Sequence, residues 1–261
     1  MRADIYLFTN GHAKSRQSAK NLIAEGNVLI DGVQISKPSI EINDTIVHKV
    51  EMLAAPKFVS RGGEKLDFAL DKFQIDAKGT VCIDIGASTG GFTDCLLQRG
   101  ASAVWAVDSG HGQLDATIQG NDKVTSIEGY NARYMSKADF DREFDLAVMD
   151  VSFISQTMIH TGVFSVLKNN GIFISLIKPQ FECGRSGLNS QGVVKNANYR
   201  LQSIKRVLES ALCCGFSCID IIRSPIEGGS GNIEYLAYFQ KTATPQNLIS
   251  DNTIENIVKS K

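Results

Sequence analysis

Four short apolar runs, VCIDIG, AVWAVD, FDLAVMD and GIFISLIK, are separated by stretches long enough for helices. Runs this short and bulky, bounded by turn residues, read as buried strands. Their alternation with helical segments predicts an α/β unit with a mostly parallel sheet, because parallel neighbours need crossover connections. CIDIIRS and NIEYLAYF follow, joined through a Gly-rich turn, and their short connection predicts an antiparallel hairpin at the sheet edge. Ahead of the first run, EKLDFALDKF sets Leu66, Ala69, Leu70 and Phe73 at helical spacing, with Lys65 at the start of that helix. Residues after about Thr242 are polar and read as a loosely held tail.

The first fifty residues follow another pattern. Ser15 can cap a helix on which Ala19, Leu22 and Ile23 share a face and which Gly26 ends. Val28 to Ile30 form a strand, Asp31 and Gly32 a tight turn, and Val33 with Ile35 the return. The chain divides near Ala54–Pro56. We expect a first domain over 1–55, a linker over 56–60, a second domain over 61–243 and a polar tail over 244–261. With a net charge of −1, any nucleic-acid site has to be a local patch. Lys14, Arg16 and Lys20 around the first helix, with Lys37 beyond the hairpin, form such a patch, although a basic helix face is also what plain solvation produces. The start, MRADIYLFTN, has no apolar signal core and no run approaches a membrane span, so we expect a cytoplasmic protein without membrane contact. Six cysteines without paired metal-ligand spacing and four scattered histidines predict free thiols and no metal site.

DIGASTGGFT, Asp84 to Thr93, carries a strand into a glycine-rich turn and then a helix, as nucleotide-binding backbones do. Laid onto Gly86, the second glycine of the dinucleotide pattern G-x-G-x-x-G falls on Ser88, and no Gly-Lys-Ser/Thr of a phosphate loop follows. What remains is the spacing used for S-adenosylmethionine. Asp108 ends the next strand, placed to accept from both ribose hydroxyls of an adenosine.

Asp150 and Lys178 close the third and fourth runs, at the carboxyl edge where open α/β sheets bind ligands. Glu234 lies near the beginning of the last strand, which shares that edge if it runs antiparallel, and Lys65 can fold over the same mouth. Taken singly, Lys178 reads equally as a lysine snorkelling to solvent.

S-R-G-G-x-K-L at Ser60 to Leu66, D-I-G-A-S-T-G-G-F-T, M-D-V-S-F-I-S at Met149 to Ser155, I-K-P-Q-F-E, and G-N-x-E-Y at Gly231 to Tyr235 together resemble the TlyA family of RNA 2′-O-ribose methyltransferases, relatives of FtsJ. R-x-D-x-x-L at Arg2 to Leu7, S-R-x-x-A at Ser15 to Ala19, and L-I-x-x-G-x-V before D-G resemble the RNA-binding module named after small-subunit ribosomal protein four. The resemblance implies a Rossmann-like S-adenosylmethionine methyltransferase sheet with a small N-terminal α+β RNA-binding domain. It implies a catalytic tetrad at Lys65, Asp150, Lys178 and Glu234, and cofactor binding through Asp84, Gly86, Ser88, Gly90, Gly91, Phe92 and Asp108. It further implies ribosomal RNA or ribosomal subunits as partners, contacted through Arg2, Lys14, Arg16, Lys20 and Lys37. Two positions depart from the family: SGHGQL follows Asp108 where VGYGQL is commoner, and Glu64 adds a carboxylate beside Lys65.

A ribose 2′-hydroxyl is a poor nucleophile whose proton has to leave as the oxygen attacks, and a lysine in a partly desolvated cleft beside a second amine can take it. Lys178 is the expected base; Lys65 orients the ribose, and Asp150 and Glu234 hold the two amines. Competing chemistries fit less well. Methylation of a base amino group uses an Asn/Asp-Pro-Pro-aromatic turn where this chain has Asp150-Val-Ser-Phe, and Cys183, a candidate nucleophile for carbon methylation, has no partner base nearby in sequence. A non-catalytic RNA-binding assembly factor and a membrane-active haemolysin, a label carried by relatives, are the alternatives from other classes.

Overall fold

The computed structural model describes residues 1–24, 26–53, 56–228 and 231–260. Ala54 and Ala55 at the expected boundary, and Gly229 and Ser230 of the Gly-rich turn, lie outside the described residues. The chain forms two compact units, Met1–Arg61 and Gly62–Lys261.

The first unit contains α1 (Ala3–Thr9), α2 (Arg16–Ala24), β1 (Val28–Ile30), β2 (Val33–Gln34) and β3 (Val50–Met52). Ser15 Oγ accepts from Ser18 N at 3.1 Å, satisfying a donor that the start of α2 leaves free. Ala19, Leu22 and Ile23 face inward onto Leu7, Val28 and Ile30. Asp31 and Gly32 both take positive φ (52° and 78°), the twist that lets two residues join β1 to β2. β3 pairs with the other side of β1.

The second unit is built on α3 (Gly62–Lys72), β4 (Val81–Ile85), α4 (Gly91–Gln98), β5 (Ala103–Val107), α5 (Ala116–Gln119), β6 (Val124–Ile127), β7 (Phe144–Met149), α6 (His160–Val166), β8 (Leu167–Ile177), α7 (Pro179–Glu182), α8 (Ala197–Cys213), β9 (Phe216–Arg223), β10 (Tyr235–Lys241) and α9 (Asp251–Lys259). Among the described residues its sheet has the order β6-β5-β4-β7-β8-β10-β9. The first five strands in that order run parallel, while β10 is antiparallel to both β8 and β9. The expected α/β sheet with a terminal hairpin is therefore present, and β9 forms its edge. Phe173 and Phe239 stack 5.4 Å apart on neighbouring strands, with Phe216 of β9 against both, and all three are fully buried. Truncating such a ring costs about 3–5 kcal/mol.

Two local expectations need correction, and one strand was not anticipated. Lys65 is the fourth residue of α3 rather than its start, because Gly62 and Gly63 already follow the helix. VTSI forms β6 although it carries no apolar run: it is the sheet's other edge, where Thr125 and Ser126 face solvent. The stretch after Thr242 is not a loose tail. Ser250 Oγ accepts from Thr253 N at 3.2 Å to cap α9, and Ile254 and Val258, one helical turn apart, are buried in the main core. Two apolar residues suffice to dock a short helix, so its polar composition concealed it. Among the described residues no helix is long and apolar enough to cross a membrane.

Candidate active site

Strand register delivers the charged residues to one edge. Met149 pairs with Ile85 across β4 and β7, so Gly86 and Asp150 leave the sheet side by side. Tyr235 pairs with Ile177 across β8 and β10, so Glu234 enters the sheet where Lys178 leaves it. Gly86 has φ +84°, and a Cβ there would stand 2.7 Å from the Asp150 carbonyl oxygen. Only glycine allows this approach.

The strand ends border a cavity of about 520 Å³ lined by Gly86, Ser88, Asp108, Asp150, Ser152 and Phe153 among others. That volume lies within the usual range for small-molecule sites. Both Asp108 oxygens are fixed by backbone donors, Oδ2 by Ser88 N at 2.8 Å and Oδ1 by Gly110 N at 2.7 Å. Each keeps a second lone pair for a ligand hydroxyl. Ser88 takes the left-handed conformation (φ 48°) that aims its N–H at Asp108. Asp84, Gly90, Gly91 and Phe92 are buried and are not among the lining residues. Gly90 instead admits Leu114 and Ile118, which a Cβ would meet at 2.8 and 3.3 Å. Asp84 is sealed under the turn, accepting from Thr93 Oγ1 at 2.7 Å, while its Oδ1 has no partner among the described residues. Burial, aided by Asp150 and Asp108, pushes its carboxyl up to about 7.

Lys65, Asp150, Lys178 and Glu234 form two ion pairs. Lys65 Nζ donates to Glu234 Oε2 at 2.6 Å, with side chains 10% and 3% exposed. Lys178 Nζ stands 2.6 Å from Asp150 Oδ1, 12% and 22% exposed. The second contact is off the direction of a hydrogen bond, so charge holds it, and Lys178 donates its directed bond to Ser152 Oγ at 2.8 Å. Gln180 Nε2 lies 3.4 Å from Glu234 Oε1, tying the turn after Lys178 to the other pair. Phe153, 92% exposed and left-handed (φ 64°), packs its ring 5.2 Å from Phe181.

Ser152, Gln180 and Glu182 were not singled out from sequence. Ser152 lies two residues after Asp150, and the other two stand inside I-K-P-Q-F-E. Glu182 is 4% exposed and accepts from Ser155 Oγ at 2.6 Å and from Gln156 N at 2.9 Å. Cys183 points its thiol at the Gly184 carbonyl, and burial raises its pKa, the wrong direction for a nucleophile. In the first unit, Arg2 and Arg16 both converge on buried Asp4, at 2.9 and 3.2 Å, leaving each arginine partly exposed. Lys14 and Lys37 are exposed and Lys20 half-buried.

Residues 58–241 match the family model described as FtsJ-like methyltransferase, and residues 1–44 match that of the S4 domain. Hemolysin A of Brachyspira hyodysenteriae is 41% identical over 240 residues, covering 92% of this chain and 99% of that protein. The 16S/23S rRNA (cytidine-2′-O)-methyltransferase TlyA of Mycobacterium tuberculosis is 38% identical over 239 residues, covering 92% and 89%. A solved structure from Streptococcus thermophilus, named for a hemolysin, superposes with a TM-score of 0.80 at 38% identity, covering 99% of this chain and 94% of that one. With its glycine turn, its strand-end lysine pairs and both family models in place, the chain belongs to the TlyA family, an FtsJ-like methyltransferase preceded by an S4 domain.

Proposed function

We propose that this protein methylates a ribose 2′-hydroxyl of ribosomal RNA, using S-adenosylmethionine and Lys178 as general base. The observation that carries this reading is the Lys178–Asp150 pair, at 2.6 Å, whose aspartate lines the same cavity as Gly86 and Asp108. The residues present suit the cofactor: Asp108 offers fixed carboxylate oxygens to a ribose diol, and Gly86, whose missing Cβ admits the Asp150 backbone, lines the same cavity. S-adenosylmethionine supplies an electrophilic methyl on a sulfonium. Lys178 Nζ takes the 2′-hydroxyl proton, leaving that oxygen able to accept the methyl the cofactor would supply, and Asp150 steadies the ammonium that results. Lys65, held on Glu234, orients the ribose, so that much of the rate comes from alignment.

The identity of the M. tuberculosis relative supports ribosomal RNA as the substrate class, and the S4 match supports RNA contact through Arg2, Lys14, Arg16, Lys20 and Lys37. The domain division that fits these roles is an RNA-binding segment over 1–55 and a methyltransferase segment from 61 onward, with α9 as part of the latter. The test is transfer of labelled methyl to ribosomal RNA in isolated subunits and intact ribosomes, with the product mapped by resistance to alkaline cleavage. One protected ribose, absent with Lys178→Ala, is the expected result. Cofactor binding without transfer to any ribosomal substrate overturns the proposal and leaves a binding factor.

A further inference from the structure

Lys178 and Asp150 sit on different loops, and an ion pair between loops is only as well placed as the loops themselves. The geometry points to Glu182 as the positioning residue that fixes these two loops to each other, a role that rests on Lys178 being the base. The loop after β7 carries Asp150, Ser152 and Phe153, and then reaches Ser155 and Gln156. The turn after β8 carries Lys178 and ends, one short helix later, at Glu182. The Glu182 carboxylate accepts the Ser155 hydroxyl (2.6 Å) with one oxygen and the Gln156 backbone N–H (2.9 Å) with the other. Its own backbone carbonyl is held by Arg206 of α8 at 3.2 Å.

The other side of the joint is equally anchored. Gln156 is 2% exposed, and its side-chain oxygen accepts from Ser175 Oγ inside β8. The β7 loop is thus pinned at Gln156 to the strand that ends in Lys178 and to the turn that follows it. Above the joint the same two segments meet again through Lys178–Ser152, Lys178–Asp150 and Phe153–Phe181. A carboxylate suits this joint because both incoming groups are donors and an ionised carboxylate only accepts. Burial pushes the Glu182 carboxyl up, against the two hydrogen bonds that favour its charged form. No cavity-lining role competes for it, since Glu182 does not border the 520 Å³ cavity.

Glu182→Gln tests this assignment. The amide keeps the volume but removes the charge, and its NH2 is satisfied only if the Ser155 hydroxyl turns from donor to acceptor, so the charge-assisted bonds of the joint are lost. Under single-turnover conditions, methyl transfer is expected to fall about tenfold, while S-adenosylmethionine and RNA affinities stay within about twofold of the parent. Ser155→Ala removes the same joint from the other side, so the double variant is expected to be no slower than the slower single one. Additive losses, a parental rate in Glu182→Gln, or a rate loss matched by lost cofactor affinity each overturn the assignment. Lys178→Ala measured in parallel separates the two proposals. Normal turnover in that variant removes the base reading itself. An inactive Lys178→Ala beside a parental Glu182→Gln removes only the joint.

Discussion

Two lysine–carboxylate pairs of the same 2.6 Å length stand at one sheet edge, and they differ in what surrounds them. Lys65 and Glu234 make a directed hydrogen bond in a nearly closed setting, where Gly228 leaves room for the carboxylate: a Cβ there would be 2.4 Å from Glu234 Oε1. Lys178 and Asp150 touch off-axis and share the lysine with Ser152, and the cavity is lined by Asp150 and Ser152 but not by Lys178. Equal length therefore conceals unequal constraint. The directed pair holds its geometry more tightly, while the off-axis pair leaves its lysine freer to change partners, as the proposed base role requires.

The largest expected effect separates the pairs by activity. Lys178→Ala should lower turnover about 10²- to 10⁴-fold, the range of a lost general base. Lys178→Arg should fail as badly, because a guanidinium keeps its proton. Turnover by the arginine variant would break the contrast. Stability separates them in the opposite sense. Glu234→Ala leaves the Lys65 ammonium buried and unpaired, a loss of about 3–5 kcal/mol in urea unfolding. Asp150→Ala leaves Lys178 its bond to Ser152 Oγ and should cost less, about 1–3 kcal/mol. Replacing Lys65 and Glu234 together by Met and Leu should recover most of the stability without restoring activity. Equal losses for Glu234→Ala and Asp150→Ala would erase the distinction.

Asp84 extends the comparison to a carboxylate with no cation. Its folded-state pKa is raised, so the folded chain binds its proton more tightly than the unfolded chain does. The stability this contributes is complete below the ordinary carboxylate value near 3.8 and is lost as pH rises through about 7. Asp84→Asn should therefore raise the melting temperature relative to the parent at pH 8 and much less at pH 5; a gain independent of pH would refute the assignment. The smallest effect belongs to the first unit, whose Arg16 is partly exposed beside Asp4 and whose Lys20 is half-buried. Arg16→Ala with Lys20→Ala should flatten the salt dependence of RNA binding by about 1.5 to 2 in log–log slope and leave methyl transfer to saturating RNA unchanged.

The sheet's interior was legible because strands buried on both faces are mostly apolar, as in β4, β7 and the second half of β8, where Asp84, Asp145 and Ser175 are the exceptions. β6 and the first half of β8 were not, since Thr125, Ser126, Lys168, Asn169 and Asn170 carry loop composition on strand backbone. In the site, the charged residues at strand ends could be named from position, because a charge closing a buried strand needs a reason. Which lysine pairs with which carboxylate depends on register between strands far apart in sequence, and no spacing encodes that. Glu182 was invisible for the same reason: its partners lie 26 and 27 residues earlier.

The docking of α9 has a consequence for anyone who shortens this chain. Arg200, buried in α8, donates to the Val194 and Lys195 carbonyls, to the Tyr235 hydroxyl and to the Val258 carbonyl near the end of α9. Tyr235 is the immediate neighbour of Glu234. A chain ended after Lys241, where the family match stops, would uncover the apolar surface under Ile254 and also free one arm of the arginine that braces the strand beginning beside Glu234. The boundary of recognisable sequence and the boundary of mechanical support do not coincide in this molecule.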